Sequence, residues 1–255
     1  MTNNNSVGFA PCALIPVYNH SLVLEKTCKA LLDLNLHVIL VDDASDNACK
    51  AIMQFIADRY EDVSLITRAT NGGKGAAVKS GLRFAQQKGY SHGIQVDADG
   101  QHNLADVSEF ISAASREPNA LILGYPAYDT SVPKHRYYAR YLTHIWIWIN
   151  TLSFSIQDTM CGFRVYPVTA SNVLINSSKI GDHMDFDSEF VVRWYWAGLE
   201  IVQRETKVIY PADGISHFRL LKDNALISGM HAKLFFGMLW RIPILLGRKI
   251  RARFP

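Results

Sequence analysis

HGIQVDADGQH (residues 92–102) is the stretch on which the reading of this chain turns. A short apolar run from His92 to Val96 ends in two carboxylates separated by one residue, Asp97 and Asp99. Side chains alternate along an extended chain, so both carboxylates leave the strand on the same side of the backbone. Placed that way they can hold a hard divalent cation, Mg²⁺ or Mn²⁺, with Gln101 adding a neutral oxygen. Such a cation bridges to phosphate oxygens and stabilises a departing nucleoside diphosphate. An acidic turn without any ligand accounts for the same residues equally well. An EF-hand does not: counting from Asp97, the sixth position is His102 instead of Gly and the twelfth is Ser108 instead of Glu.

Similar apolar runs at 12–18, 37–41, 63–67 and 120–124 read as strands, and the segments near 21–34, 48–60, 75–87 and 104–115 read as helices. Strands separated by helices of this length indicate βαβ units, hence an α/β fold with a mainly parallel sheet and ligands at the carboxyl ends of its strands. Two turns lie at such ends, Pro16-Val17-Tyr18-Asn19 and Val41-Asp42-Asp43-Ala44-Ser45. One carboxylate of the Asp42/Asp43 pair can accept an imide N–H of uracil or guanine while Tyr18 packs on the base. Capping of the next helix by Asp42 or Ser45 is the alternative. Asn71-Gly72-Gly73-Lys74-Gly75 opens a helix, where free N–H groups and the helix dipole suit an anion. A chain reversal alone also needs glycines. The turn is not a Walker A loop, because Lys74 is followed by Gly75, and the dinucleotide fingerprint fails at Val78.

From about residue 125 the rhythm gives way to an aromatic and basic stretch, followed by DTMCGFR (158–164) and DFDSEF (185–190). The sequence predicts one domain over 1–224, with a donor half at about 10–124 and an acceptor half at about 125–224. Candidate bases for a hydroxyl acceptor are Asp158 and Asp187, with Asp185 and Glu189 in the same cluster. On a helix Asp185 and Glu189 share a face, although early acids also serve the helix dipole.

With 255 residues, 49% of them hydrophobic, the chain can bury a sizeable core. Cys12, Cys28, Cys49 and Cys161 form no CxxC pair, which argues against zinc or a disulfide framework and for a reducing compartment. The start MTNNNSVGFAP lacks the charged and apolar regions of a cleaved signal peptide, so a cytoplasmic protein is expected. After Asp223 come six cations and no acid; taking six from the net +3 leaves the rest of the chain at −3. A weakly acidic body with a basic end argues against nucleic acid as partner. The segment 225–255 is too interrupted by His231, Lys233, Arg241 and Pro243 to span a bilayer. It reads as amphipathic and membrane-associating, with Arg248, Lys249, Arg251 and Arg253 each contributing on the order of 1 kcal/mol against anionic lipid. A helix packed on the core with a solvated tail is the alternative.

Taken in order, PVYN (16–19), VDDAS (41–45), NGGKGAAVKSGL (71–82), VDADGQH (96–102) and DTMCGFR resemble the family 2 glycosyltransferases of the GT-A fold. The resemblance is greatest to the branch containing dolichyl-phosphate and polyprenyl-phosphate sugar synthases, and it covers roughly residues 12–220. It implies a Rossmann-like nucleotide-sugar-binding domain that moves a hexose, with inversion and with Mg²⁺ or Mn²⁺, from a UDP- or GDP-sugar to a polyprenyl phosphate or other lipid-like acceptor. By position it implies that Pro16, Tyr18, Val41 and Asp43 contact the nucleoside, that Asp97 and Ala98 lie along ribose and diphosphate, and that Asp99 and Gln101 hold the metal. Arg136 and Arg140 resemble basic positions facing a phosphate, Asp158 stands beside the acceptor, and Glu189 occupies an acidic helix position of the same branch. The chain departs from the pattern at His20, where an acid is common, and around Tyr125-Pro126, where an arginine is. It departs again in Asp213-Gly214-Ile215-Ser216-His217-Phe218-Arg219, where His217 is a candidate third metal ligand, a phosphate partner with Arg219, or a structural histidine. Placement at the inner face of the cell membrane follows from the same reading. The competing readings are transfer to a hydroxyl of a lipid or specialised metabolite, a nucleotidyltransferase, and a non-catalytic nucleotide-sugar-binding module.

Overall fold

Strand β1 (Pro11–Val17) shows why the sheet is buried on both faces. Ala13, Ile15 and Val17 enter one apolar cluster while Cys12 and Leu14 enter another, as a period of two requires. In β2 (His37–Asp42), Val38 and Leu40 go to the first cluster and Ile39 and Val41 to the second. Strands covered on both faces appear in the sequence as unbroken apolar runs. The computed structural model describes residues 8–127, 134–207 and 220–253, with helical backbone alone at 134–140, 220–221 and 252–253.

β3 (Val63–Thr67) and β4 (His92–Gln95) run parallel to their neighbours β2 and β1. With β5 (Leu121–Ala127), β6 (Arg164–Pro167) and β7 (Ile201–Lys207) they form a seven-stranded sheet in the order β3-β2-β1-β4-β6-β5-β7, in which only β6 runs antiparallel. Helices α1 (Leu24–Leu32), α2 (Asn47–Arg59) and α4 (Val107–Arg116) supply the first cluster. The second takes side chains from α3 (Lys74–Gln87), α5 (Lys134–Thr151), α6 (Val168–Ser177), α7 (Phe186–Trp196), α8 (Leu220–Leu239) and α9 (Ile242–Arg253). The chain leaves β1 toward β2 and β3 on one side and returns to β4 on the other. The crevice beyond the carboxyl ends of β1 and β4 is therefore the switch point where such sheets bind ligands.

The predicted boundary at residue 224 falls inside α8, and Met230, Leu234, Met238 and Leu245 are buried in the second cluster. The basic residues beyond it are largely committed to the protein. Lys233 donates to Glu189 Oε1 (2.8 Å) and to the Lys179 carbonyl (2.7 Å), and Arg241 lies over the Trp196 ring. Arg248 donates to the carbonyls of Tyr195 (3.1 Å) and Trp196 (2.9 Å), and Lys249 to that of Leu152. These carbonyls close α7 and follow α5, where helical partners run out. Arg248 and Lys249 thus tie α9 down on the protein while their side chains stay exposed. The apolar side of the expectation stands exposed: Phe236, Trp240, Ile244 and Ile250 face solvent, Trp240 at 86%.

Candidate active site

At the carboxyl edge of the sheet the first two turns are stitched together. Asn19, with φ 51°, receives a bond from Asp46 N at its side-chain oxygen, and its own N–H donates to Ser45 Oγ. Tyr18 projects outward at 38% exposure and Pro16 is half-buried at the strand's edge. Val41 is buried, with its Cγ2 where a Cβ on Gly81 would meet it at 3.1 Å, so its side chain faces α3 and not a nucleoside. Neither Asp42 nor Ser45 caps α2; Asp46 does, accepting from Cys49 N at 2.8 Å. Asp42 accepts from Ser45 N, and its other oxygen is buried without a partner.

Asp43 explains the glycine turn. It accepts from Gly72 N (3.0 Å), from Gly73 N (2.7 Å) and from Arg68 Nε (3.2 Å). A carboxylate has about four acceptor sites, so three are already filled. The turn does bind an anion, as its free N–H groups and φ of 95° at Gly73 allow, but that anion is the protein's own carboxylate. Asp43 thus serves the turn and keeps one acceptor position, and the N–H groups of Gly72 and Gly73 are occupied by this carboxylate instead of standing open as a phosphate cradle.

Holding the turn in place aims Lys74 inward. Its ammonium lies 2.9 Å from Asp97 Oδ2 and 3.1 Å from Asp187 Oδ2. Burial alone would depress that ammonium, but Asp187 and Asp97 outweigh it and hold it above the ordinary lysine range. Burial would likewise raise Asp97, but Lys74 and His102 prevail and hold its carboxyl well below the usual range. Gln95 donates to Asp97 Oδ1 at 3.0 Å and is itself fixed by the Tyr166 hydroxyl. His102 Nδ1 accepts from Asp97 N, so the imidazole shapes the turn after β4. Gly162 leaves room for this pair: an added Cβ would strike the Asp97 carboxylate and approach Lys74 Nζ to 2.7 Å, so the two side chains would have to shift.

The two carboxylates of DxD consequently do different things. Asp97 is neutralised by Lys74, which corrects the picture of a symmetric pair. Asp99 is half-buried; its Oδ1 accepts from Gln101 N at 3.0 Å, and its Oδ2 takes no partner among the described residues. Ala98 is buried between them, and Gln101, whose N–H reaches Asp99, is half-buried. Among the described residues no cluster of three His, Cys, Asp or Glu groups is poised around a metal. One carboxylate nevertheless fits Mg²⁺ or Mn²⁺, which bind through one or two carboxylates plus substrate phosphates and water.

The acids of the second half separate too. Successive helical residues turn by about 100°, so Asp187 faces away from Glu189. Asp187 meets Lys74 and the fully buried Arg164, whose guanidinium lies 3.4 Å from its Oδ1. Glu189 turns to Gly181 N (2.8 Å), Arg193 and Lys233, and Asp185 accepts from His183 N. Both shape the loop before α7, and Glu189 is turned to Arg193 and Lys233 instead of to Lys74. Asp158 is 2% exposed; its Oδ1 accepts from Met160 N and Cys161 N, and its Oδ2 lies 3.1 Å from His144 Nε2. Thr159 then meets Ser188 at 2.8 Å, which ties this loop to Asp187. Arg136 and Arg140 lie one turn apart on α5 with their side chains outside the described residues, and His217 is outside them altogether. Sequence reasoning missed His144, Arg164 and His102. Arg164 ends the quoted DTMCGFR and His102 ends VDADGQH, whereas nothing local marks His144.

Residues 12–180 match the family described as Glycosyl transferase family 2. A dolichyl-phosphate beta-glucosyltransferase of Trichomonas vaginalis is 25% identical over 199 residues, which cover 70% of this chain and 59% of that protein. The polyprenol monophosphomannose synthase of Mycolicibacterium smegmatis is 25% identical over 169 residues, 60% of each chain. The undecaprenyl-phosphate mannosyltransferase of Micrococcus luteus is 26% identical over 165 residues, 60% of this chain and 64% of that one. The chain thus spans less than two thirds of the length of these relatives. Glucosyl-3-phosphoglycerate synthase from Mycobacterium tuberculosis, solved with UDP, superposes with a TM-score of 0.67 at 13% identity, covering 91% of this chain and 81% of that one. That likeness carries the fold, and it agrees with the GT-A architecture expected from the motifs. A seven-stranded, mainly parallel sheet with its acidic turn at the switch point, in a chain matched from residue 12 to residue 180 by one family's pattern, places the protein in glycosyltransferase family 2.

Proposed function

We propose that the protein moves a hexose from a UDP- or GDP-sugar, with inversion at the anomeric carbon, to a polyprenyl phosphate or another lipid-like acceptor. The observation that carries this reading is the charge centre at the carboxyl edge of the sheet: Lys74 locked between Asp97 and Asp187, beside Asp99 with one oxygen open. Relatives named for dolichyl, polyprenol and undecaprenyl phosphate supply the acceptor class. The solved neighbour with Mn²⁺, UDP and phosphoglyceric acid, 12% identical, supports a nucleotide donor with a divalent cation.

In this reading Tyr18 packs against the base and Asp43 acts through the glycine turn it holds. Asp99, with Gln101 beside it, holds Mg²⁺ or Mn²⁺. When bound, that cation supplies Lewis-acid stabilisation of the leaving diphosphate. Lys74 keeps Asp97 ionised, and Lys74 and Arg164 hold Asp187 in place, so the surroundings of the reacting carbon need little reorganisation.

The same proposal places the protein peripherally at the cytoplasmic face of the membrane. No helix among the described residues is long and apolar enough to cross a bilayer. The exposed Phe236, Trp240, Ile244 and Ile250 suit shallow insertion at the headgroup boundary, with Arg251 outward beside them.

The test is release of UDP or GDP from a panel of nucleotide sugars with Mn²⁺ or Mg²⁺, with and without membrane lipid extract, for the native protein and Asp99→Ala. Metal-dependent release from one donor, increased by extract and lost in the variant, is the expected result. Donor binding without turnover under every acceptor condition would favour a binding module instead.

A further inference from the structure

Helix α5 carries an imidazole in an arrangement that the proposed reaction has not yet used. His144 Nε2 lies 3.1 Å from Asp158 Oδ2, and the two side chains are 15% and 1% exposed. Asp158 is fixed in turn by the N–H groups of Met160 and Cys161 at 2.8 and 2.7 Å. A carboxylate that accepts from Nε2–H leaves Nδ1 as a bare lone pair. That Nδ1 takes no partner among the described residues. The imidazole is thus oriented and polarised by a buried acid at one nitrogen and open at the other, the relation that activates a proton acceptor.

Its location matches. Asp158 begins the loop that ends at Gly162 against Asp97 and Lys74. Four residues of chain reach at most about 14 Å, so Asp158, to which the imidazole is bonded, is tethered on the same side of the fold as the donor-side charge centre. On the same helix Tyr141, Leu142 and Ile145 are exposed, an apolar approach for a lipid chain.

We propose that His144 Nδ1 is the proton acceptor for the acceptor's nucleophilic O–H, with Asp158 as its positioning residue. The inference rests on the transferase reading. The acceptor oxygen gives its proton to Nδ1 and bonds to the anomeric carbon, while the bond from that carbon to the diphosphate oxygen breaks and its electron pair leaves with the nucleotide. The shared chemistry is an O–H, which belongs either to an alcohol or to a phosphate monoester still carrying its second proton, lost with a pKa of about 6.

The experiment uses the full chain, wild type and His144→Ala. It measures donor affinity by calorimetry and kcat with vesicles containing either polyprenyl phosphate or a long-chain alcohol, at pH 6 and pH 8.5, with and without added imidazole. Donor affinity should be unchanged. With the alcohol, kcat should fall by about 10²- to 10⁴-fold at both pH values. With the phosphate the fall should be large at pH 6 and should nearly vanish at pH 8.5, where that proton is already gone. Imidazole should restore part of the lost rate, and Asp158→Asn should lower kcat likewise by forcing the wrong tautomer. An active wild type matched by His144→Ala at pH 6 overturns the inference alone, as does a loss that tracks donor affinity and resists imidazole. A wild type that turns over no donor removes the transferase reading and this role with it.

Discussion

Replacing Lys74 by Met removes the one ammonium that faces both Asp97 and Asp187 while keeping most of its apolar volume. Two carboxylates with side chains 21% and 8% exposed then lose contacts of 2.9 and 3.1 Å. Removing one partner of a buried ion pair costs about 3–5 kcal/mol. Asp97 keeps Gln95 at 3.0 Å, and Asp187 keeps Arg164 at 3.4 Å, so the lower end, about 3 kcal/mol, applies. At about 2–4 °C per kcal/mol for a chain of this size, the melting temperature should drop by about 6–12 °C. The pH dependence gives the mechanism. In the native protein Asp97 is held below its unfolded value, so its contribution is complete above that value and level between pH 5 and 8. Without Lys74, burial raises Asp97 above the unfolded value, so the variant loses stability as the pH rises and regains it toward acid. Denaturant unfolding of both proteins at pH 5, 6.5 and 8 should show the gap narrowing at low pH. A loss below about 1 kcal/mol, or a gap independent of pH, would refute the assignment of Lys74 as the neutralising charge.

Gly162→Ala should push Asp97 and Lys74 apart, because the new Cβ meets both; donor affinity measured by calorimetry should fall at least tenfold, with circular dichroism little changed. Glu189→Gln should loosen α7 from α8 by about 1.5–3 kcal/mol, since it weakens bonds to Lys233 and Arg193, yet leave kcat as it was; a lost kcat would return Glu189 to the site. Burial pushes His231 down to about 4 from 6.5, so the unfolded chain takes up a proton between those values that the folded one refuses. Stability should therefore fall by about 3 kcal/mol as the pH drops from 6.5 to 4, and His231→Phe, stacked against Trp146 in the same place, should remove that part of the slope in urea titrations.

The strands that position the site were legible because both of their faces are buried, so each survives in the sequence as an unbroken run such as Cys12–Val17 or Val38–Val41. β6 was hidden for the opposite reason. It begins at Arg164, a charge that looks solvent-bound in sequence yet is fully buried on the carbonyls of Thr159, Cys161 and Asp187. β7 is half-exposed at the sheet's edge and reads Ile-Val-Gln-Arg-Glu-Thr-Lys, with no apolar pattern to find. At the site, spacing located the acids but could not sort them. Asp185, Asp187 and Glu189 form one acidic patch in the sequence, and only the turn of the helix sends Asp187 to Lys74 and Glu189 to Lys233. His144 sits 14 residues before its partner, inside an aromatic helix whose pattern declares only packing.

The charge at the sheet's edge suggests why a divalent cation suits the donor. Among the described side chains the centre gathers three carboxylates, Asp97, Asp99 and Asp187, around two fixed cations, Lys74 and Arg164. Apolar side chains of similar volume would stabilise the fold as well or better, since desolvating ions rarely gives a net gain. The network instead keeps ionised groups immobile in a place of low dielectric. Among these five groups one negative charge remains in excess, beside the place where a nucleoside diphosphate would lie. In the proposed reading, a divalent cation at Asp99 would reverse the sign of that field beside the donor's phosphates. On that proposal the surplus acid and the open oxygen of Asp99 are one feature: the first would set the need for a cation and the second would give it a place to bind.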